Sequence, residues 1–189
     1  MQGSQKLREL LSAYRPQDED ERDLLGGFER LLGGGGPIFS RAHFEPGHLT
    51  ASALIVDSSR KKLGLIFHKK LGLWLQPGGH FDEDERDPIE AARREAAEEI
   101  GLKRLEPLSE ALFDLDIHEI PARRDEPAHL HHDLRFAFIA APDEAVRIEE
   151  REVSDFAFVD LLTLVEGRFY GETDRSVRRA AKKLLEALS

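Results

Sequence analysis

The chain has 189 residues, 40% of them hydrophobic and 34% charged, with a formal net charge of −10 and no cysteine. That length supports one domain with a substantial core and appended helices. The acidic balance argues against a partner that is a nucleic-acid polymer or an anionic membrane, and the lack of cysteine excludes a disulfide framework and a thiolate metal site.

Met1 to Tyr14 is charged and periodic, unlike a signal peptide, and no apolar run approaches the ~20 residues of a membrane span, so a cytoplasmic location is expected. Leu7, Leu10, Leu11 and Tyr14 have helical spacing, which predicts a first helix over 5–14 that Pro16 ends. A second helix is predicted over 18–32, burying Leu24, Leu25, Phe28, Leu31 and Leu32, before the break at Gly33 to Gly36 and Pro37. Residues 1–47 are therefore expected to form a helical extension packing on a main domain at 48–189. Their apolar faces also suit a lid or a homodimer contact.

From His48 the texture turns to strand: 49–56, then a polar turn at 57–62, then 63–68 and 71–76. Pro77-Gly78-Gly79 punctuates the backbone. After the helix treated next, one or two strands are expected over 105–119, a charged loop at 121–127, and a strand at 132–140 with Leu134, Phe136 and Phe138 on one face. A short strand at 156–159, a helical turn at 160–165 and a helix over 174–188 complete the chain. The last helix is expected to bury Val177, Ala181, Leu184, Leu185 and Leu188. The class is α+β with a mixed sheet.

The chain is organised around residues 87–102. Asp87 suits an N-cap, Pro88 the first helical position, Glu90 a capping box and Gly101 a left-handed C-cap. Ile89, Ala92, Ala96 and Ile100 form the apolar stripe, and Glu95, Glu98 and Glu99 cluster on a neighbouring face. Their mutual repulsion and their place near the negative end of the helix dipole are both unfavourable, and a hard divalent cation bound by carboxylate oxygens would offset both. The plain alternative is a solvated acidic face.

Here the chain resembles the Nudix hydrolases, marked by G-x5-E-x7-R-E-U-x-E-E-x-G-U with U a bulky apolar residue. Gly79, Glu85, Arg94, Glu95, Glu98, Glu99, Gly101 and Leu102 supply the pattern. The stretch from Arg94 to Leu102 is in register, although Ala96 is smaller than usual. Eight residues rather than seven separate Glu85 from Arg94, so Arg86 occupies the counted position and a one-residue bulge is expected at 84–87. Trp74-Leu75-Gln76-Pro77-Gly78-Gly79-His80 also looks like a variant of bacterial members. The resemblance covers about residues 49–165. It implies an α/β/α sandwich and Mg²⁺-dependent hydrolysis (with Mn²⁺ a substitute) of a nucleoside diphosphate linked to another moiety, such as a nucleoside triphosphate or nucleotide sugar. The alternative is a nucleotide-binding sensor without turnover.

On this resemblance Glu95, Glu98 and Glu99 would hold metal, and Glu98 or Glu99 would act as base. Arg94 would orient a carboxylate, its alternative being an i to i+4 pair with Glu98. Glu85, Glu149, Glu150 and Glu152 are candidates for a further acid, and Gly79, His80, Trp74, His131 and Arg135 for substrate contacts. Trp74 is equally well a core residue. Arg135 is equally well one side of a cross-strand salt bridge. His129, His131 and His132 suggest a phosphate or base contact, or else a transition-metal site. Strand alternation would put only His129 and His131 on one face. His48 and His68 read as ordinary half-buried residues.

Overall fold

The computed structural model describes residues 2–123 and 126–188, so the charged loop at 121–127 is seen except at Arg124 and Asp125, which lie outside the described residues. The elements in order are α1 (Gln2–Ala13), α2 (Glu19–Gly34), β1 (Gly47–Val56), β2 (Lys62–His68), β3 (Leu73–Leu75), β4 (Gly78–His80), α3 (Pro88–Ile100), β5 (Leu105–Pro107), β6 (Asp114–Ile120), β7 (His129–Ala140), β8 (Val153–Asp160), α4 (Leu161–Val165) and α5 (Arg175–Ala187). The fold is the expected α+β class, an α/β/α sandwich with a mixed β-sheet. The strand path β3-β2-β1-β7-β5 is hydrogen-bonded in that order, with β4 on β1, β6 on β7 and β8 on β2.

The chain divides into two compact units built from interleaved segments. One comprises the residues up to Ser52, Gly79–Ala92 and Ser109–Phe136; the other comprises Ala53–Gly78, Arg93–Leu108 and Ala137 onward.

In the first unit α2 starts where Asp18 accepts from the Glu21 amide at 2.9 Å, the capping that a short polar side chain provides. Its buried face is narrower than expected: Phe28 and Leu31 are buried at 1% exposure, whereas Leu24, Leu25 and Leu32 are half-buried. Glu21 is buried too, because Tyr14 Oη and the Gln17 amide donate to it. Gly27 admits close approach of β6, since a Cβ there would stand 2.3 Å from Ile117 Cδ1. β7 begins three residues earlier than the apolar pattern predicts and pairs with β6 from Ile120↔His129 to Asp114↔Arg135. Buried Asp133 and Arg135 alternate with buried Leu134 and Phe136, so this stretch has no solvated face.

In the second unit β2 pairs with β3 and β8, and Leu63, Leu65, Ile66 and Val153 are nearly or fully buried. β8 is twice the expected length. Its exposed Ser154 and Asp155 hide it from an apolar scan. Asp160 caps α4 and Asp174 caps α5 through their carboxylates. α5 buries Val177, Ala180, Ala181, Lys183 and Leu184, while Leu185 and Leu188 are only half-buried.

Candidate functional site

Glu95, Glu98 and Glu99 of α3 belong to the second unit, and the histidines of β1, β4, β6 and β7 to the first.

In the second unit, α3 keeps Ala96 and Ile100 fully buried and presents Glu95, Glu98 and Glu99 beside that stripe. Arg93 fixes the helix by donating to the Leu105 carbonyl at 2.6 Å, with its guanidinium 5.1 Å over the Phe138 ring. Gly101 has φ +73° and ends the helix by bonding back to the Ala97 carbonyl, as a left-handed cap requires. Arg94 Nη1 donates to Glu95 at 3.0 Å and to Glu98 at 3.1 Å, so the orienting contact and the i to i+4 pair are both present. Glu98 is mostly exposed, at 59%, and Glu95 mostly covered, at 14%.

Glu99 differs from both. It turns to the chain at β4 and accepts from the Gly78 amide at 3.1 Å. Burial pushes its carboxyl up to about 8; the Gly78 hydrogen bond opposes this, and the charges of Glu95, Glu152 and Glu98 add to it. The side chains that raise it most are three other carboxylates. Such a group is either protonated or in need of a cation, which makes the set suited to a divalent metal with oxygen ligands.

The stretch before β8 closes against this helix. The Arg147 amide bonds to the Ile100 carbonyl at 2.9 Å and the Glu149 amide to the Glu99 carbonyl at 2.8 Å. Lys70 Nζ meets Glu152 at 2.6 Å, and Lys69 Nζ contacts the Glu150 carbonyl. Of the candidates for a further acid, Glu152 is the one whose charge reaches Glu99; Glu150 is exposed, and Glu149 faces Arg151 at 3.7 Å. Trp74 is not on the surface. It is 5% exposed, with the rings of Phe67 and Phe169 edge-on at 5.6 and 5.7 Å, which is the core alternative for this residue.

In the first unit the loop before α3 holds the extra residue. The Glu85 amide bonds to the Asp82 carbonyl at 3.0 Å while the Glu85 carboxylate accepts from the Asp82 amide at 3.2 Å. Arg86 donates to the Glu83 and Glu85 carbonyls and lies 5.3 Å over the Phe39 ring. Asp87, expected as the cap, instead places Oδ2 2.5 Å from Lys6 Nζ on α1. Gly79 lies in β4, and its φ is not among the positive ones of the described residues.

Arg135 is 2% exposed and is shared by three carboxylates, Asp133 at 2.8 Å, Asp116 at 3.3 Å and Asp114 at 3.4 Å. The cross-strand salt bridge is thus what its guanidinium makes, through the Asp114↔Arg135 register of β6 and β7. Burial alone would lower its pKa, and the three aspartates outweigh that and raise it. Thr50 and Ser52 on β1 complete the cage by donating to Asp133 at 2.8–3.0 Å.

Across the strands β4, β1, β7 and β6 stand His80, His48, His131 and His118 in turn, with His129 two residues from His131 on the same face. Neighbouring ring centroids are 4.7 to 5.4 Å apart. One nitrogen from each of His48, His80 and His131 lies within 4.8 Å of the others, the set of His or acidic ligand atoms that converges among the described residues. Burial and the neighbouring imidazoles press His131 down to about 2. Burial lowers His48 as well. His118 runs the other way: its burial penalty is outweighed by Asp116, whose Oδ2 lies 3.0 Å from its Nδ1, and by the charge of Asp133, so its pKa is raised. His132 points oppositely, against Phe28 at 5.3 Å, as strand alternation requires, and burial pushes it down to about 4.

Sequence reasoning missed His48, Asp114 and Asp116, the Thr50–Ser52–Asp133 contacts and the Gly78 amide. The two-residue alternation of polar side chains at 48, 50 and 52 in an otherwise apolar strand was the available signal.

A model of the NUDIX domain matches residues 46–180. The search of curated proteins returned no match. Among solved structures, a hydrolase of the NUDIX family from Clostridium perfringens is 26% identical with a TM-score of 0.54, covering 75% of this chain and 98% of its own. The E. coli dihydroneopterin triphosphate pyrophosphohydrolase is 14% identical with a TM-score of 0.55, covering 74% and 95%. The NUDIX domain of Shewanella oneidensis NrtR, complexed with ADP ribose, is 18% identical with a TM-score of 0.55, covering 85% and 98%.

Proposed function

Because the chain belongs to the NUDIX family and is a pyrophosphohydrolase, we propose that it cleaves a diphosphate bond in a nucleoside diphosphate linked to another moiety, using Mg²⁺ held by Glu95, Glu98 and Glu99. The observation that carries this reading is Glu99, a half-buried carboxylate among Glu95, Glu98 and Glu152 whose burial raises it to about 8. Burying a carboxylate among other carboxylates is unfavourable for stability, and groups perturbed in this way cluster at functional sites.

Mg²⁺ supplies charge neutralisation of the phosphate oxygens and a bound water of lowered pKa. The chain's own groups do the rest. The Gly78 amide fixes Glu99 in one orientation, and Arg94 holds Glu95 and Glu98 against each other's charge. Glu98, the most exposed of the three, would take a proton from the attacking water, with Glu99 the alternative. Glu152, steadied by Lys70, supplies the further acid. Trp74 and Arg135 support from within the core. The ligands in the names of two neighbours, dihydroneopterin triphosphate and ADP ribose, favour a substrate of the same class.

The test is a panel of nucleoside triphosphates, nucleotide sugars and dinucleotides incubated with purified protein and Mg²⁺ or Mn²⁺, with the released phosphate species identified. Turnover that disappears in Glu98→Gln supports the assignment. Tight, metal-independent binding with no turnover of any compound would overturn it in favour of a nucleotide sensor.

A further inference from the structure

We infer that His48, His80 and His131 form a second metal site, specific for a borderline divalent transition ion of the Zn²⁺ class and distinct from the glutamate set on α3. Three neutral imidazoles are a donor set for Zn²⁺, Co²⁺, Ni²⁺ or Cu²⁺ and a poor one for Mg²⁺, which takes oxygen.

Three observations carry this independently of the hydrolase reading. The first is convergence: three nitrogens from three different strands lie within 4.8 Å of one another. The second is the state of His48. It is 1% exposed, and its Nδ1 donates to the His43 carbonyl at 3.1 Å, so that nitrogen carries the proton. Its Nε2 is left with a lone pair, fully buried and without a hydrogen-bond partner. A buried lone pair at the convergence of two other imidazoles calls for a partner, and a metal ion would supply one.

The third is the outer shell. Ligating histidines donate their second ring N–H to a carbonyl or carboxylate, which fixes the tautomer. His48 does so to His43, and neighbouring His129 does so to the Pro127 carbonyl at 2.8 Å. His129 Nε2 is thereby also left as a lone pair, 3.3 Å from His131 Nε2. The fourth position would be taken by water. Phe44 covers the rings of His48 and His129 at 6.5 and 5.0 Å, the apolar wall such a site uses to limit water.

The experiment uses the full chain, stripped with chelator and titrated with Zn²⁺ or Co²⁺ in the presence of millimolar Mg²⁺, which occupies the oxygen site. Expected are one equivalent of Zn²⁺ bound, a melting temperature raised by roughly 5–10 °C at about a hundred times Kd, and visible Co²⁺ absorption of a low-coordinate, nitrogen-ligated ion. All three should persist in Glu98→Gln and disappear in His131→Ala. In the wild-type protein, one equivalent of Zn²⁺ should shift the imidazole ¹⁵N resonances of His48, His80 and His131 in NMR spectra, so the test survives a variant that fails to fold. A Co²⁺ signal lost in Glu98→Gln and kept in His131→Ala would overturn the proposal. So would imidazole resonances unmoved by Zn²⁺, which would leave the His129–His131 pair as an ordinary hydrogen bond. Failure of the hydrolase reading would show in the substrate panel and leave these readouts untouched.

Discussion

Replacing Arg135 by Met keeps an unbranched apolar stem, shortens the side chain and removes its charge and its donors. The consequence is set by what remains: Asp114 at 0% exposure, Asp133 at 2% and Asp116 at 8%. Removing one partner of a buried ion pair costs about 3–5 kcal/mol, because the other charge is left desolvated. The loss should not be three times that. Asp133 keeps the hydroxyls of Thr50 and Ser52, and Asp116 keeps His118. At roughly 2–4 °C per kcal/mol for a chain of this size, the melting temperature should fall by about 6–20 °C. Urea denaturation and calorimetry of wild type, Arg135→Met, Asp114→Asn and the double variant measure this directly. Asp114→Asn should recover part of the loss in the Met background, with a coupling of about 1–3 kcal/mol, and Arg135→Lys should fall between wild type and Met because it lacks the fork. A loss below about 1 kcal/mol, or zero coupling to Asp114, would refute the view that the cage is held by its guanidinium.

Glu98→Gln should reduce kcat by more than the ~10–100-fold typical of a group outside the metal's immediate ligands, and Glu152→Gln by about that range, both read in the substrate panel. Gly101→Ala should cost about 1–2 kcal/mol in chemical denaturation, since φ is +73° and a Cβ would lie 3.1 Å from the Arg147 Cβ. Asp57 gives a pH test. Partial burial raises its carboxyl, but hydrogen bonds from the Ser59 hydroxyl and the Lys62 and Lys61 amides outweigh this and hold it below its ordinary 3.8. A depressed carboxyl stabilises above its unfolded value and loses that contribution as pH falls through the folded one. Asp57→Asn should therefore cost about 0.5 kcal/mol near neutrality, with the difference from wild type shrinking as pH falls below 3.8; a difference constant with pH would contradict this.

α3 was legible from its own residues. Pro88, the apolar stripe and Gly101 specify its ends and its buried face through local geometry, which needs no knowledge of the rest of the chain. Its N-cap was not, because Lys6 draws the Asp87 carboxylate away from the helix, a contact between residues 81 positions apart. The strands show the same division. Leu134, Phe136 and Phe138 announce β7, whereas the polar faces of β7 and β8 blurred their ends.

What the sequence determined alone is the acidic helix, its C-cap and the family pattern around Arg94 to Leu102, because all of these are set at spacings of one to four residues. What only the tertiary structure decided is which distant side chains meet. The aspartate cage joins β1, β6 and β7, and the histidine cluster joins β4, β1 and β7 across 32 and 51 residues of chain, since cross-strand neighbours are fixed by sheet order and register. Alternation along one strand predicted that His129 and His131 share a face. Pairing between strands is what adds His48 and His80 to them.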